Sequence, residues 1–431
     1  MPRPKSQPLR FIDAFAGCGG LSLGLSQAGF RGVFAIEHEA NAFETFKTNF
    51  LLSRARYPFA WPRWLRKAPI DIDELLSQYR PELTALRGRI DLLAGGPPCQ
   101  GFSSAGRRRE DDPRNQLFKS YLKLVKLIRP TAVLIENVRG FTIDFVERSA
   151  KGENYSSLLT EALAKNYDVH DSLINVASFG VPQNRVRYFM LAFLKGMEVD
   201  DPFSTLKQRL PSYLRRLGLQ TPVSSQAAIS DLEVSRCGTR EARETTGFQE
   251  IGYVGPLSQY QKLMANLPNG PTDLRLANHS PKISGRFAEI IKSCHAEGRL
   301  NTSISEELRE KYDLRKKALR VLDPDRPSPT VTSMPDDLLH YREPRILTVR
   351  ENARLQSFPD WFSFKGKYTT GGERRRHEVP RYTQVANAVP PLAGRALGET
   401  LRSVLENVQA RPPSCATKKV SKGTHFRAKL K

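Results

Sequence analysis

Cysteine is scarce in this sequence: five in 431 residues, at positions 18, 99, 237, 294 and 415. The number is odd, the spacing is wide, and no CxxC pair or Cys/His cluster occurs. Neither a disulfide framework nor a metal site is therefore expected, and a reducing cytoplasm suits the chain. Long uncharged apolar runs are also missing, which excludes a membrane-spanning helix from the reading. The basic residues up to Arg10 and the apolar stretch after them imitate an export signal. Asp13 breaks that stretch, however, and glycines at 17, 19, 20, 24 and 29 follow. The order reads as a strand and a glycine turn. Acids are absent from the last 21 residues, which carry seven Lys or Arg. Segment 411–431 is expected to be a basic, disordered tail.

What the chain has in excess is positive charge. Lys and Arg number 67 against 45 Asp and Glu, a net +22, and the body keeps +15 when the tail's seven are set aside. Such a balance attracts polyanions, meaning nucleic acid or an acidic membrane surface. Hydrophobic residues make up 39% of the chain and include 22 Phe, enough for a sizeable core. The length suggests two or three domains.

Short apolar runs alternate with helical patterns in the first half, the signature of an α/β, doubly wound parallel sheet. Residues 11–15 read as a first strand. A glycine turn follows, then a helix with Leu21, Leu25 and Ala28 on one face. Residues 33–36 read as a second strand ending at Glu37. Residues 91–94 form another, broken by Gly95-Gly96-Pro97-Pro98, and Leu117, Tyr121, Leu124, Val125 and Ile128 have helical spacing. Residues 132–135 read as a strand ending at Glu136, and 187–193 as a closing one. Residues 198–320 lack clear alternation and read as a second, irregular domain. Residues 386–401 regain a helical pattern.

The sheet geometry places the chemistry. Carboxyl ends of parallel strands share one edge, where ligands bind. Cys99 follows one strand and Glu136 ends the next, so a thiol and a carboxyl group are expected in one cleft. Two prolines before Cys99 stiffen its loop, and Arg107, Arg108, Arg109 and Arg114 nearby favour the thiolate. Against this stands the plain alternative that a lone cysteine is a buried small hydrophobe. The turn Phe15-Ala16-Gly17-Cys18-Gly19-Gly20 departs from GxGxxG, because Ser22 holds the third glycine position. Its backbone can still approach a ligand closely, and Glu37 stands where an acid grips ribose hydroxyls. Gln183, Arg185 and Arg187 alternate and are read as projecting to one side of a strand.

Taken together these residues resemble the DNA (cytosine-5) methyltransferase family. Six motifs lie in the family's order: the Phe15 to Gly20 turn, Pro98-Cys99-Gln100, Glu136-Asn137-Val138 and Gln183-Asn184-Arg185-Val186-Arg187. Arg326-Pro327-Ser328-Pro329-Thr330-Val331 and Gln384-Val385-Ala386-Asn387-Ala388-Val389-Pro390 complete the series. The resemblance implies an S-adenosylmethionine-dependent Rossmann-like fold with a smaller irregular target-recognition domain. It divides the chain into a catalytic domain (1–197), a target-recognition domain (198–340), a returning segment (341–410) and the tail (411–431).

The resemblance also implies roles. Cys99 is the nucleophile that adds to C6 of an everted cytosine, Glu136 holds the base near N3, Arg187 reaches O2, and Arg185 supports the loop or substrate. Gln100, Ser103, Asn137 and Gln183 belong to the substrate loop or its support. The stretch from Ser103 to Asn115 closes over the base. Phe15, Gly17, Gly19, Pro98 and Asn387 contact S-adenosylmethionine and Glu37 its ribose. His38 stands where many members place an adenine neighbour, and Asp71 accepts from the adenine amino group. Asn387 further implies that the C-terminal helix packs back on the first domain. No metal is called for. The expected partner is double-stranded DNA, the expected setting a bacterial cytoplasm at the nucleoid, and the expected state a monomer serving a restriction or other defence system. Two other readings are a tRNA-methylating member of the family and a catalytically silent DNA-binding homologue. The separate segment before Arg326 speaks for duplex DNA, and intact Cys99, Glu136, Arg185 and Arg187 speak for activity.

Overall fold

The computed structural model of the chain describes residues 7–97, 114–143, 154–265, 270–314, 318–369 and 378–410. Pro98, Cys99, Gln100 and Ser103 lie outside them, as do the arginines at 107–109, most of the expected closing loop, and the tail.

The first part contains β1 (Arg10–Ala14), α1 (Gly20–Gln27), β2 (Arg31–Ile36), α2 (Ala40–Phe50), α3 (Ile72–Gln78), α4 (Arg80–Ala85) and β3 (Leu92–Gly95). It continues through α5 (Arg114–Ile128), β4 (Ala132–Val138), α6 (Tyr155–Ala164), β5 (Tyr167–Asn175), β6 (Val186–Leu194) and α7 (Pro202–Leu217). These strands form one sheet in the order β2-β1-β3-β4-β6-β5. The first four run parallel, and β6 runs antiparallel to both β4 and β5.

Alternation across the pleat sends successive side chains to opposite faces, and both faces are covered. Phe11, Leu92, Leu134 and Phe189 enter one buried apolar cluster, while Ile12, Leu93, Val133 and Met190 enter the other. The first cluster includes side chains of α1 and α7, and the second includes side chains of α5 and α6. Burial on both sides explains why these strands read as nearly continuous apolar runs.

Two features differ from the sequence reading. The closing strand β6 is antiparallel, and its partner β5 at the sheet edge was not expected. The sequence of β5, Tyr-Asp-Val-His-Asp-Ser-Leu-Ile-Asn, is mostly half-exposed or exposed, so it lacks a hydrophobic signature. In addition β4 runs on past Glu136 to Val138, because β6 pairs with it as far as Val138 opposite Arg187.

The remainder consists of α8 (Ser225–Ile229), α9 (Val234–Cys237), β7 (Thr239–Glu241), β8 (Gln249–Ile251), α10 (Gln259–Met264), α11 (Pro281–Ala296) and α12 (Glu306–Lys311). Then come β9 (Arg320–Val321), β10 (Leu338–Leu339), α13 (Val349–Leu355), α14 (Arg381–Asn387) and α15 (Pro391–Ala410). Most of these are short. In α7, Asp201 caps the N-terminus and Gly218 supplies the left-handed C-cap.

The chain closes where α15 returns to α1. A Cβ on Gly24 would stand 2.5 Å from the Pro391 carbonyl oxygen and 2.6 Å from the Arg395 nitrogen. Glycine at 24 therefore permits a helix contact that any larger residue would push apart. The C-terminal helix thus lies on the first part of the chain. Among the described residues no helix is long and apolar enough to cross a membrane.

Candidate active site

Glu136 and Arg187 meet at the junction of the parallel and antiparallel halves of the sheet. They sit diagonally across β4 and β6, on the same face, and Glu136 Oε1 lies 3.1 Å from Arg187 Nε. Arg187 also donates from Nη1 to its neighbour's carbonyl, Val186 O, at 2.8 Å. Burial pushes the Glu136 carboxyl above the ordinary range, while Arg187 and Arg185 pull it back. Arg185 is 3% exposed, and burial, reinforced by Arg187, draws its guanidinium down to about 9 despite Glu136. Its Nη2 donates a long bond of 3.5 Å to Ala388 O, and its buried Nε has no hydrogen-bond partner among the described residues. One carboxyl group is thus flanked by two guanidinium groups in a site largely shielded from water.

Asn137 fastens the strand that precedes Cys99. Its Nδ2 donates to Pro97 O at 3.1 Å, and its Oδ1 accepts from Val138 N at 2.8 Å. Gly96 lies so close to the acid that a Cβ there would stand 3.3 Å from Glu136 Oε2. The chain therefore leaves the described residues at Pro97, two positions before Cys99, directly beside Glu136.

Gln183 does not face the same space. It is fully buried, its Nε2 donates to Gln356 Oε1 at 2.9 Å and Leu355 O at 3.2 Å, and its Oε1 accepts from Val331 N at 2.9 Å. Only Arg187 of the alternating trio lies within a strand. Gln183 acts as a fastener between three segments, and Gln356 extends it by donating to Val385 O at 2.8 Å. Gln356 carries no charge and matches no catalytic pattern, so nothing in the sequence singles it out.

A second group of residues gathers at the carboxyl ends of β1 and β2. Phe15, Gly17 and Gly19 adopt left-handed backbone angles of φ 60°, 55° and 99°. A side-chain-bearing residue pays for such a conformation, and at Phe15 the turn imposes it. No side chain among the described residues caps the N-terminus of α1 at Gly19. Glu37 is 8% exposed, with Oε2 accepting from Gly17 N and Oε1 from Glu39 N, both at 2.8 Å. Burial raises its pKa against the pull of these two N–H donors and His38.

His38 is largely exposed, with Nδ1 3.5 Å from Glu37 Oε1. Asp71 caps α3 through Asp73 N at 2.7 Å, and neighbouring Ile70 donates its N–H to Glu37 O at 2.8 Å. Asn387 is exposed at the end of α14, and the segment after it lies against α1, since a Cβ on Gly20 would meet Val389 O at 2.3 Å. The fold thus assembles Phe15, Gly17, Gly19, Glu37, Asp71 and Asn387 from distant parts of the chain.

Asp13 was not anticipated. It is 1% exposed beneath the turn and accepts from Ser22 Oγ at 2.6 Å. Burial raises its pKa to about 7, the Ser22 hydrogen bond opposes this, and nearby Glu37 adds to it. The sequence signal was available: an acid inside an otherwise apolar strand, nine residues before a helical serine. Among the described residues no group of three or more His, Cys, Asp or Glu side chains is arranged to hold a metal ion.

The chain matches the C-5 cytosine-specific DNA methylase family over residues 9–403. It is similar to Type II methyltransferase M.DdeI of Desulfomicrobium norvegicum, at 31% identity covering 93% of this chain and 90% of that one. Similarity to Type II methyltransferase M.AgeI of Thalassovita gelatinovora is 30%, covering 91% and 99% respectively. A crystal structure of a candidate DNA modification methyltransferase, encoded within an E. coli prophage, superposes with a TM-score of 0.62. It is 23% identical, covers 92% of this chain and 99% of its own, and attests the shared fold.

Proposed function

This chain belongs to the C-5 cytosine-specific DNA methylase family, and on that premise we propose that it methylates carbon 5 of one cytosine within a short duplex DNA sequence, with Cys99 as nucleophile. It is an enzyme of the DNA (cytosine-5-)-methyltransferase class. Its biological role in this reading is to mark self DNA within a restriction-modification or related anti-phage system.

The observation that carries the proposal is the buried Glu136–Arg187 pair beside Pro97, the residue immediately before the Pro98-Cys99-Gln100 motif. Cytosine C5 is a weak nucleophile. Addition of the Cys99 thiolate to C6 turns the ring into an enamine, and C5 then attacks an electrophilic methyl group. S-adenosylmethionine supplies that methyl as a sulfonium. Loss of the C5 proton afterwards returns the electron pair to the ring and expels the Cys99 thiolate. Glu136, whose burial favours the protonated form, donates to N3 of the everted base, and Arg187 turns from Glu136 toward O2. Arg185 braces this arrangement through Ala388, where the closing motif begins its return to the first helix.

The residues at the β1 and β2 ends suit the co-substrate. The left-handed turn keeps the backbone free of side chains at Gly17 and Gly19, Glu37 offers acceptors for ribose hydroxyls, and Asn387 faces outward nearby. These features support binding of S-adenosylmethionine there, with Glu37 held in orientation by the Gly17 and Glu39 N–H groups.

Methyl transfer to duplex DNA, with 5-methylcytosine mapped in DNA from cells expressing the chain, tests the proposal. Cys99→Ala is expected to abolish transfer while retaining DNA and co-substrate binding, and wild-type turnover by this variant would refute the nucleophile assignment. Glu136 is needed protonated, so transfer at saturating substrates is expected to fall as pH climbs through its raised pKa. Glu136→Gln is expected to lose about 10²–10⁴-fold in rate and to flatten that limb. An unchanged alkaline limb in the variant would assign the titration to another group.

A further inference from the structure

The segment that delivers Arg185 to the site has a second side. Gln183 and Arg185 are buried, whereas Asn184 between them is exposed and borders a cleft of about 440 Å³. Besides Asn184, the lining includes Asn301, Thr302, Ser303, Arg320 and Thr330, and no carboxylate. Donors in this cleft outnumber the acceptors available to them. The Arg320 guanidinium and the Thr302 and Ser303 hydroxyls make no hydrogen bond or ion pair among the described residues. Asn184 Oδ1 accepts from Asn175 Nδ2 at 3.2 Å, while its own Nδ2 has no acceptor there.

The walls are fixed before any ligand arrives. Asn301 holds φ 62° while its Oδ1 accepts from Asp323 N at 2.9 Å and its Nδ2 donates to Pro327 O at 3.0 Å. Ser303 pairs with Arg320 across an antiparallel bridge. Thr330 Oγ1 donates to Asn184 O at 3.0 Å, and Asn184 N donates to Ser328 O at 2.8 Å. A cation and several neutral donors on a rigid frame, with no acid facing them, match the oxygens of a phosphate group. Asn184 is three residues from Arg187, whose guanidinium stands beside Glu136, so at most roughly 10 Å separates the Cα atoms of the two residues.

We propose that this cleft seats a backbone phosphodiester of the DNA substrate, with Arg320 as its cation and Asn184, Thr302 and Ser303 as neutral donors. The inference rests on the function proposed above and adds a site that anchors the strand without reading its sequence.

Duplex affinity measured across a series of KCl concentrations tests it. For Arg320→Ala the slope of log K against log[KCl] is expected to become shallower by about 0.9, with roughly tenfold weaker binding at moderate salt. Arg320→Lys should keep the wild-type slope. Co-substrate affinity and turnover at saturating DNA should stay unchanged in both. Thr302→Val combined with Ser303→Ala should weaken binding several-fold at an unaltered slope. If Arg320→Ala does not yield folded protein, judged by thermal melting and co-substrate binding, this pair decides, and wild-type affinity in it overturns the proposal. A wild-type slope and affinity in folded Arg320→Ala also overturns it. So does loss of inorganic phosphate binding with no change toward DNA, which would make the cleft a seat for a free anion. Should the wild-type chain methylate duplex DNA while these variants bind it normally, the phosphate seat alone falls. Should the wild type neither bind nor methylate duplex, the functional reading falls with it.

Discussion

The central sheet and the segment around α13 bury their residues in opposite ways. In the sheet, hydrophobic side chains alternate into two apolar clusters, one on each face. In α13 all seven residues are buried, yet the sequence is Val-Arg-Glu-Asn-Ala-Arg-Leu, and Arg350, Glu351 and Arg354 are each 0% exposed. Arg354 binds Asp360 through Nε at 2.6 Å and Nη2 at 2.7 Å, and Asp231 through Nη1 at 3.2 Å and Nη2 at 3.1 Å. Arg345 spans both oxygens of Glu351 at 2.8 Å. Asp273 joins two helices by accepting from Arg350 at 3.2 Å and Arg381 at 2.7 Å.

Burial alone would lower the Arg354 pKa, but Asp360 and Asp231 overcome it and keep the guanidinium charged. Apolar burial stabilises whatever packs well. Paired charges add little net stability over apolar replacements, but they penalise every wrong pairing. The contrast teaches that the sheet is held by its hydropathy, whereas around α13 apolar packing is joined by a specific set of charge pairs.

The sharpest way to break that contrast is at Arg354. Arg354→Leu strands Asp231 and Asp360 without a counter-charge and is expected to cost about 3–5 kcal/mol in urea unfolding. Neutralising both acids in the same variant should recover much of the loss. Leu134→Ala in the sheet is expected to cost about 2–5 kcal/mol, with no such rescue available. If Arg354→Leu behaves like a surface change, the charge pairs around α13 are not organised as described.

Asp13 offers a second test, since it is a charge-bearing group inside the apolar sheet. Its folded pKa of about 7 exceeds the ordinary 3.8, so the folded state retains a proton that the unfolded state has lost. Its contribution is fully present below the unfolded value and is lost as pH rises through about 7. The decline is expected to be on the order of 2–4 kcal/mol. Asp13→Asn should remove that slope from a series of unfolding curves between acid and neutral pH, and an unchanged slope would place the titration elsewhere. The smallest expected effect is at Gly24, where alanine would press a methyl on Pro391 and Arg395. Overpacking of this kind costs about 1–3 kcal/mol and should appear as a lowered thermal midpoint.

The same contrast explains what the sequence revealed. The strands holding Leu92, Val133 and Phe189 are legible because burial on both faces writes an apolar run into the chain. Edge strand β5 escaped because half of its surface meets water, and α13 went unread because its buried groups include charged ones that leave no apolar stripe. Glu136 and Glu37 were legible from their places at strand ends and Arg187 through the family resemblance, and the fold does gather the Glu136–Arg187 pair and the group around Glu37. Gln183 looked like a member of the same row as Arg185. Its true partners, Gln356 and Val331, come from far along the chain, and no local spacing announces them. Asp13 was visible but lay within an apolar run, and its hydrogen bond to Ser22 depends on how strand and helix meet.

The union of α1 and α15 has a consequence for how the protein comes into being. Arg402 reaches Ala28 across 374 positions of sequence. A nascent chain leaving the ribosome therefore carries an uncovered first helix until α15 has been made. Only then can Val389 come to rest against Gly20 and complete the wall behind the glycine turn. A chain that stops short of α15 would keep its first motif while leaving the apolar face of α1 without its cover.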